Sequence, residues 1–72
     1  MEIAAELIQV ARGGALKTQL VYQANLNFRI VKGHLSRLLD QGLLKYDPPR
    51  YYTTEKGVTY LASFERLVSL ES

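Results

Sequence analysis

The sequence predicts a small, mainly α-helical domain of the α+β class, with a three-helix core, a short two-stranded hairpin and a C-terminal helix. Three observations support this class. Four segments place apolar residues at helical spacing, and two short β-prone segments flank a pair of prolines. The chain has 72 residues and no cysteine, so one core must be stabilised by packing alone. A single domain over residues 1–72 is therefore expected.

The composition limits the classes of protein to which the chain can belong. Apolar residues make up 47% of the sequence, which is typical of a globular protein, and no apolar run is long enough to span a bilayer. The first residues lack the basic and apolar regions of a signal peptide. We therefore expect a cytoplasmic protein without a membrane partner.

The first helix is predicted over residues 2–11, because apolar residues recur along one of its faces. These residues are Ile3, Leu7 and Val10. Gly13 and Gly14 end the helical pattern. Ala15 and Leu16 then leave room for a very short extended segment before the next helix.

A second helix over Lys17–Ala24 and a third over residues 28–41 are separated by a three-residue turn. Asn25 suits the left-handed conformation that a tight turn between helices requires. Leu26 is expected to point inward from the turn, and Asn27 is expected to cap the N-terminus of the third helix.

The third helix is predicted to have two different faces. Its inward face carries apolar residues at helical spacing: Val31, Leu35, Leu38 and Leu39. Its outward face carries a basic and polar set: Arg29, Ile30, Lys32, Gly33, Ser36 and Arg37. Gly42 is the residue type that commonly ends a helix, so the helix is expected to stop there.

A hairpin over residues 43–53 and a C-terminal helix over residues 55–71 complete the predicted domain. Two short strands are joined by a turn that contains Pro48 and Pro49, which end strand pairing. Thr54 stands immediately before the last helix, where its hydroxyl can cap the first turn.

This order of elements is that of a winged helix, with a helix-turn-helix over residues 17–41 and a wing over residues 43–53. In such a fold the second helix of the pair enters the major groove of DNA. The charge distribution favours the same partner, because residues 12–50 hold seven basic and two acidic residues, a net charge of +5. Concentrated positive charge binds a polyanion through the release of counterions.

The residues expected to contact DNA lie on the second and third helices and on the hairpin. Asn27 and Arg29 stand at the end of the third helix that meets base edges. Arg50 at the hairpin tip and Lys45 at its base are expected to reach phosphates. The predicted DNA-binding set is Lys17, Thr18, Asn27, Arg29, Ile30, Lys32, Gly33, Ser36, Arg37 and Arg50.

Four short motifs follow one another in a fixed order between residues 14 and 57. They are Gly14-Ala15-Leu16-Lys17-Thr18, Ala24-Asn25-Leu26-Asn27-Phe28, Leu38-Leu39-Asp40-Gln41-Gly42-Leu43-Leu44 and Tyr52-Thr53-Thr54-Glu55-Lys56-Gly57. Together they resemble a family of small archaeal winged-helix proteins, which includes transcription regulators and chromosomal DNA-binding proteins. The resemblance implies binding of double-stranded DNA through the third helix and the wing, association with the nucleoid, and dimerisation through the last helix.

The apolar pattern of the last helix predicts a homodimer independently of that resemblance. One stripe, about 120° wide, holds five apolar residues: Tyr60, Leu61, Phe64, Leu67 and Val68. A helix of this length extends about 25 Å, and so small a body covers only its first turns. Leu67, Val68 and Leu70 are therefore expected to be exposed in one chain and buried against a second copy.

No residue pattern indicates catalysis, a metal site, a cofactor or a small-molecule ligand. His34 has no second metal ligand at a usable spacing, so a packed, partly buried histidine is expected. The acidic residues fall on different elements beside basic neighbours, and the sequence has neither an activated nucleophile nor a glycine-rich phosphate loop.

Two other functions remain open at this point. A winged helix can serve as a protein-interaction module, because the fold alone does not fix the partner. A protein that binds single-stranded nucleic acid needs exposed aromatic residues on which bases stack. Phe28 and most of the tyrosines are instead expected in the core, and alternation along the hairpin turns either Tyr51 or Tyr52 inward.

Overall fold

The computed structural model describes residues 3–25 and 27–71, with Glu71 described by its backbone alone. Helices and strands follow in the expected order. They are α1 (Ile3–Val10), β1 (Ala15–Leu16), α2 (Lys17–Ala24), α3 (Phe28–Asp40), β2 (Leu44–Asp47), β3 (Arg50–Thr53) and α4 (Glu55–Glu71). A short 3-10 turn over Ala11–Gly13 extends α1, and Glu2, the expected start of the first helix, lies outside the described residues.

The three strands form one antiparallel sheet in the order β1, β3, β2. The predicted two-stranded wing is β2 and β3, and the predicted extended segment of Ala15 and Leu16 pairs with Tyr51 and Arg50 and so adds a third strand. In the hairpin, Asp47 pairs with Arg50, and only the two prolines lie between the strands. The wing is consequently short, and the two residue pairs next to its turn, Tyr46–Tyr51 and Asp47–Arg50, lie level with β1.

The core gathers around α1, which contacts α2, α4 and β3. Leu7 and Ile8 of α1 are fully buried, as is Leu20 of α2. From α3 the buried side chains are Val31, Leu35 and Leu38, and Leu39 is partly buried, as the helical spacing predicted. The predicted inward face of α3 is thereby confirmed.

Tyr51 is the hairpin tyrosine that points inward. Its side chain is 7% exposed, and its ring centroid lies 4.6 Å from that of Tyr46 on the neighbouring strand. Burial raises the pKa of the Tyr51 hydroxyl above its ordinary value, and the nearby Tyr46 raises it further. Tyr51 is therefore a structural residue of the core, whereas Tyr52 is half-buried on the other face of β3.

Two asparagines build the turn between α2 and α3. Asn25 adopts the left-handed conformation with φ 54°, and its backbone N–H donates to the carbonyl oxygens of the last turn of α2. The side chain of Asn27 accepts a hydrogen bond from the backbone N–H of Ile30 at 2.9 Å. Both roles agree with the sequence prediction, while Leu26, expected to point inward, lies outside the described residues.

Thr54 fixes the start of α4 to the end of α3. Its hydroxyl accepts from the backbone N–H of Gly57 at 3.1 Å, which caps α4 as predicted. The same hydroxyl lies 2.6 Å from the carbonyl oxygen of Gly42, to which it donates. Lys56 adds a second hydrogen bond between the two segments, because its ammonium donates to the carbonyl oxygen of Gln41 at 2.7 Å. The orientation of α3 is thus set partly from the first turn of α4.

Substitution Thr54→Val is expected to lower the free energy of unfolding by about 2 kcal/mol, because it removes a helix cap and a donor to a carbonyl oxygen. Thr59→Val is the matched control on the same helix. Thr59 is exposed, and its hydroxyl donates only to the carbonyl oxygen one turn earlier. Urea unfolding measures both losses, and equal small losses for the two variants would contradict this role of Thr54.

Candidate nucleic-acid interface

The outward face of α3 is the most basic exposed helical surface that the sequence analysis singled out, and the structure leaves it open. Every residue predicted to face outward is exposed: Arg29, Ile30, Lys32, Gly33, Ser36 and Arg37. Asn27, which caps the helix, is exposed beside them. The structure therefore brings seven of the ten predicted DNA-binding residues onto one continuous surface.

Gly33 lies at the centre of this face. At about 100° per residue, it stands opposite the direction of Val31, Leu35 and Leu38. A Cβ atom added at Gly33 would meet no other atom within 4 Å. The middle of the outward face is therefore open space over bare helix backbone, with longer side chains on both sides.

Two of the cations on this face have no competing partner among the described residues. The side chains of Arg29 and Lys32 make no hydrogen bond and no ion pair with any of them. Both side chains can therefore reach an external anion without first breaking an internal contact. This freedom matters because a cation already paired with a carboxylate loses most of its attraction for phosphate.

Arg37 is held in place by His34. An Nη atom of the guanidinium lies 2.7 Å from Nδ1 of the histidine, one helical turn away. Because a guanidinium has donors only, Nδ1 of His34 is the acceptor in this contact. His34 is half-buried, as predicted, and its observed contact orients a cation on the outward face.

The start of α2 lies beside the start of α3. The ammonium of Lys17 lies 5.0 Å from the ring centroid of Phe28, within the range of a cation–π contact. Thr18 is exposed in the same turn of α2. The expectation that Phe28 belongs to the core is wrong, because its side chain is 51% exposed. Phe28 is the first residue of α3 and projects from the helix end, where Lys17 covers one side of its ring.

Arg50 directly follows the two-proline turn, at the tip of the hairpin as predicted. It is the first residue of β3, paired with both Asp47 and Leu16, and its side chain is half-buried. One of its guanidinium nitrogens lies 3.5 Å from Oε1 of Gln19 on α2. Arg50 therefore belongs to the edge where the sheet meets the start of α2, close to Lys17 in the fold.

Gln19 is a residue of this edge that the sequence reasoning missed. Its Oε1 accepts a hydrogen bond from the backbone N–H of Leu16 at 2.7 Å and also lies near Arg50. A glutamine three residues after the residue that precedes a helix is a known capping signal, so its position in the sequence could have revealed it. Gln19 thus orders the start of α2 and steers the Arg50 side chain.

The remaining exposed aromatic residues are dispersed over the domain. Tyr22 on α2 is 82% exposed, and Tyr46 on β2 is 52% exposed. One face of the Tyr46 ring lies against Tyr51. Lys45, on the same strand, directs its ammonium to within 6.0 Å of the centroid of Tyr52. These rings belong to separate elements and form no stacked row.

The apolar stripe of α4 divides into a covered and an exposed part. Tyr60 and Phe64 pack partly against the core, and Leu67 and Val68 are 61% and 48% exposed. Leu70 is also exposed, as predicted. The inclusion of Leu61 in a dimer interface is wrong, because this side chain is 2% exposed and is enclosed by the core of its own domain. The stripe therefore contains both core residues and exposed residues. Helical periodicity shows that they share one face of α4, but it does not show which of them the core covers.

Within residues 3–25 and 27–71, no three or more His, Cys, Asp or Glu residues are grouped so that they could hold a metal ion. None of the helices over these ranges is both long enough and apolar enough to cross a membrane.

Comparison with known proteins supports one family. A family model described as winged helix-turn-helix matches the chain over residues 1–72. No curated protein matches the chain. The family match covers the helices, the short sheet and the outward face of α3 together.

Proposed function

Because the chain belongs to the winged helix-turn-helix family, we propose that it binds double-stranded DNA by placing α3 in the major groove. It acts in this proposal as a transcription regulator or a chromosomal protein associated with the nucleoid. The observation that carries the proposal is the outward face of α3, where Arg29, Lys32 and Arg37 are exposed around a glycine. The groove is about 12 Å wide and admits one helix with polar and basic side chains.

The proposal gives the interface residues two kinds of role. Asn27 and Arg29 lie at the N-terminal end of α3, the end that meets base edges in this docking geometry. Lys32, Arg37 and Arg50 contribute mainly contacts to phosphate, which give affinity without sequence information. Three further residues complete the set at the edges of this surface: Lys17, Thr18 and Ser36.

Double-stranded DNA is favoured over single strands by the placement of the aromatic residues. Phe28, Tyr22 and Tyr46 are exposed, which is the feature that a stacking platform needs. Lys17 covers one side of Phe28, however, and Tyr51 covers one face of Tyr46. Bases of a single strand would therefore meet isolated rings on different elements.

The experiment that tests the proposal compares fluorescence anisotropy of labelled duplexes and single strands of roughly 20 nucleotides at about 50 mM salt. We expect micromolar or tighter binding to a random duplex and weaker binding to either strand alone. Binding to the single strand only would reassign the function. No binding to either nucleic acid would favour a protein-interaction module.

We propose further that the DNA-binding form is a homodimer joined through α4. Leu67 and Leu70 are exposed on the C-terminal half of this helix, and Phe64 lies half-buried next to them. Burying an exposed leucine contributes about 1.5 to 3 kcal/mol before association costs. In a two-fold contact between two copies, each such residue is buried once in either copy, so its contribution counts twice. The same symmetry presents two α3 helices to one face of DNA.

Substitution Leu67→Glu is expected to shift the protein to monomers in sedimentation velocity and to weaken DNA binding about tenfold, because one of two linked contacts is lost. Ala62→Glu is the matched control, since this exposed residue is turned about 140° away from Leu67 around α4. A wild-type protein that sediments as a monomer at about 100 μM would contradict the dimer, because three buried leucine-sized contacts per copy should hold it together.

A further inference from the structure

A shallow recess lies in the outward face of α3. Its lining residues are Ile30, Gly33, His34 and Arg37. Gly33 forms the floor, because it has no side chain and no atom lies within 4 Å of the place where a Cβ would stand. Arg37 forms one wall, held by His34 at 2.7 Å.

The other wall of the recess is apolar. Ile30 is 43% exposed and stands one turn before Gly33 on the face that is otherwise basic and polar. An exposed isoleucine there contributes nothing to contacts with phosphate. Its side chain could instead bury apolar surface against a ligand that approaches the helix directly.

The edges of the bases offer one apolar group in the major groove. Guanine and adenine present acceptors or donors there, cytosine presents an amino group, and thymine alone presents a methyl group at C5. A polar edge pressed against Ile30 would lose its water without gaining a hydrogen bond. The thymine methyl loses nothing by this contact and gains by leaving water.

The missing side chain at Gly33 decides how close this contact can be. A residue with a side chain at the centre of the face would hold the helix away from the groove floor. With glycine, helix backbone and base edge can meet at van der Waals distance, and a methyl group can enter between Ile30 and Arg37. The guanidinium retains donors that are not directed at His34, and these remain free for the polar edge of an adjacent base.

We propose that the recess of Ile30, Gly33 and Arg37 receives the 5-methyl group of a thymine and makes this chain prefer sites with thymine at one fixed position. The inference rests on the proposed binding of duplex DNA through α3. It assigns to Ile30 and Gly33 a role in sequence preference, in addition to the contacts expected of Asn27 and Arg29.

The test removes only the methyl group. Duplexes that bind best are first selected from a random pool, and each thymine of the selected site is then replaced in turn by deoxyuridine. We expect one position at which deoxyuridine weakens binding about fourfold, the effect of exposing one methyl-sized group to water. The protein is unchanged in this comparison, so folding does not enter it.

Two variants connect that position to the recess. In Ile30→Ala the apolar wall is lost, and in Gly33→Ala a methyl group enters the open floor without meeting another atom. Both are expected to reduce the preference for thymine over deoxyuridine to less than about twofold, because the methyl group then makes only part of its contact with the recess. Ser63→Ala, on α4 away from the recess, should keep the full fourfold ratio.

The outcomes separate this inference from the proposed function. Binding of selected duplexes that is unchanged by deoxyuridine at every thymine would overturn the thymine recess and leave the proposed function standing. An effect of deoxyuridine that persists in Ile30→Ala and Gly33→Ala would also overturn it, because the methyl group would then lie elsewhere. Failure to bind any duplex would overturn both.

Discussion

The double substitution Arg29→Glu and Lys32→Glu is expected to weaken binding to duplex DNA about a hundredfold, because two cations on the face toward DNA are replaced by two carboxylates that repel the phosphates. Both side chains are exposed, and neither makes a hydrogen bond or an ion pair with a described residue. The variant should therefore unfold at an unchanged urea concentration. Fluorescence anisotropy with a random duplex at about 100 mM salt measures the change in affinity.

A matched control keeps the total charge equal. Arg12→Glu together with Arg66→Glu changes the net charge by the same amount, at two exposed residues outside the helix-turn-helix. This control is expected to reduce affinity by less than about threefold, because distant exposed charges are screened. Equal losses in the two double variants would show that net charge, and not the face of α3, attracts DNA.

Substitution Gly57→Ala is expected to have the largest effect on stability. A Cβ at Gly57 would lie 2.2 Å from the carbonyl oxygen of Leu43 and 2.7 Å from a methyl carbon of Thr53. The first of these is backbone, which cannot rotate away, so α4 must shift from the start of the hairpin. We expect a loss of about 3 kcal/mol, at the upper end of overpacking effects. For a domain of this size, the melting temperature should fall by roughly 12 to 24 °C.

Gly33→Ala is the control, because the same glycine-to-alanine change is expected to raise stability there. Gly33 is exposed within α3, and its added Cβ meets nothing within 4 Å. Alanine in place of glycine inside a helix contributes up to about 1 kcal/mol of stability. Calorimetry should thus show one glycine variant melting lower and the other higher than the wild type. Similar melting temperatures for both would contradict the close approach at Gly57.

The local signals in the sequence predicted much of this fold. Asn27 and Thr54 cap α3 and α4 as expected, because capping depends on a side chain and the backbone only three residues away. The buried side of α3 was predicted from periodicity, because every position on a helix has a fixed direction. Those two properties together place the basic face of α3 outward.

The features that the sequence did not predict depend on contacts between distant segments. Two residues are too few to show strand alternation, so the pairing of β1 with β3 could not be read from Ala15 and Leu16. Phe28 is as apolar as a core residue, yet its place at the end of α3 exposes it. Leu61 shares a helical stripe with Leu67, and only the position of the core shows which of them is enclosed.

The measurement that most directly tests the proposal of DNA binding through α3 is the affinity for a random duplex as a function of salt concentration. With about four to six phosphates contacted by each chain, the logarithm of the association constant should fall with the logarithm of salt concentration at a slope of about −4 to −5 for each chain bound. Between about 50 and 200 mM salt, binding should then weaken by roughly 250- to 1,000-fold for one bound chain, and more steeply for a dimer that engages DNA with both chains. A flat response to salt, or no binding at about 50 mM, would contradict the proposal.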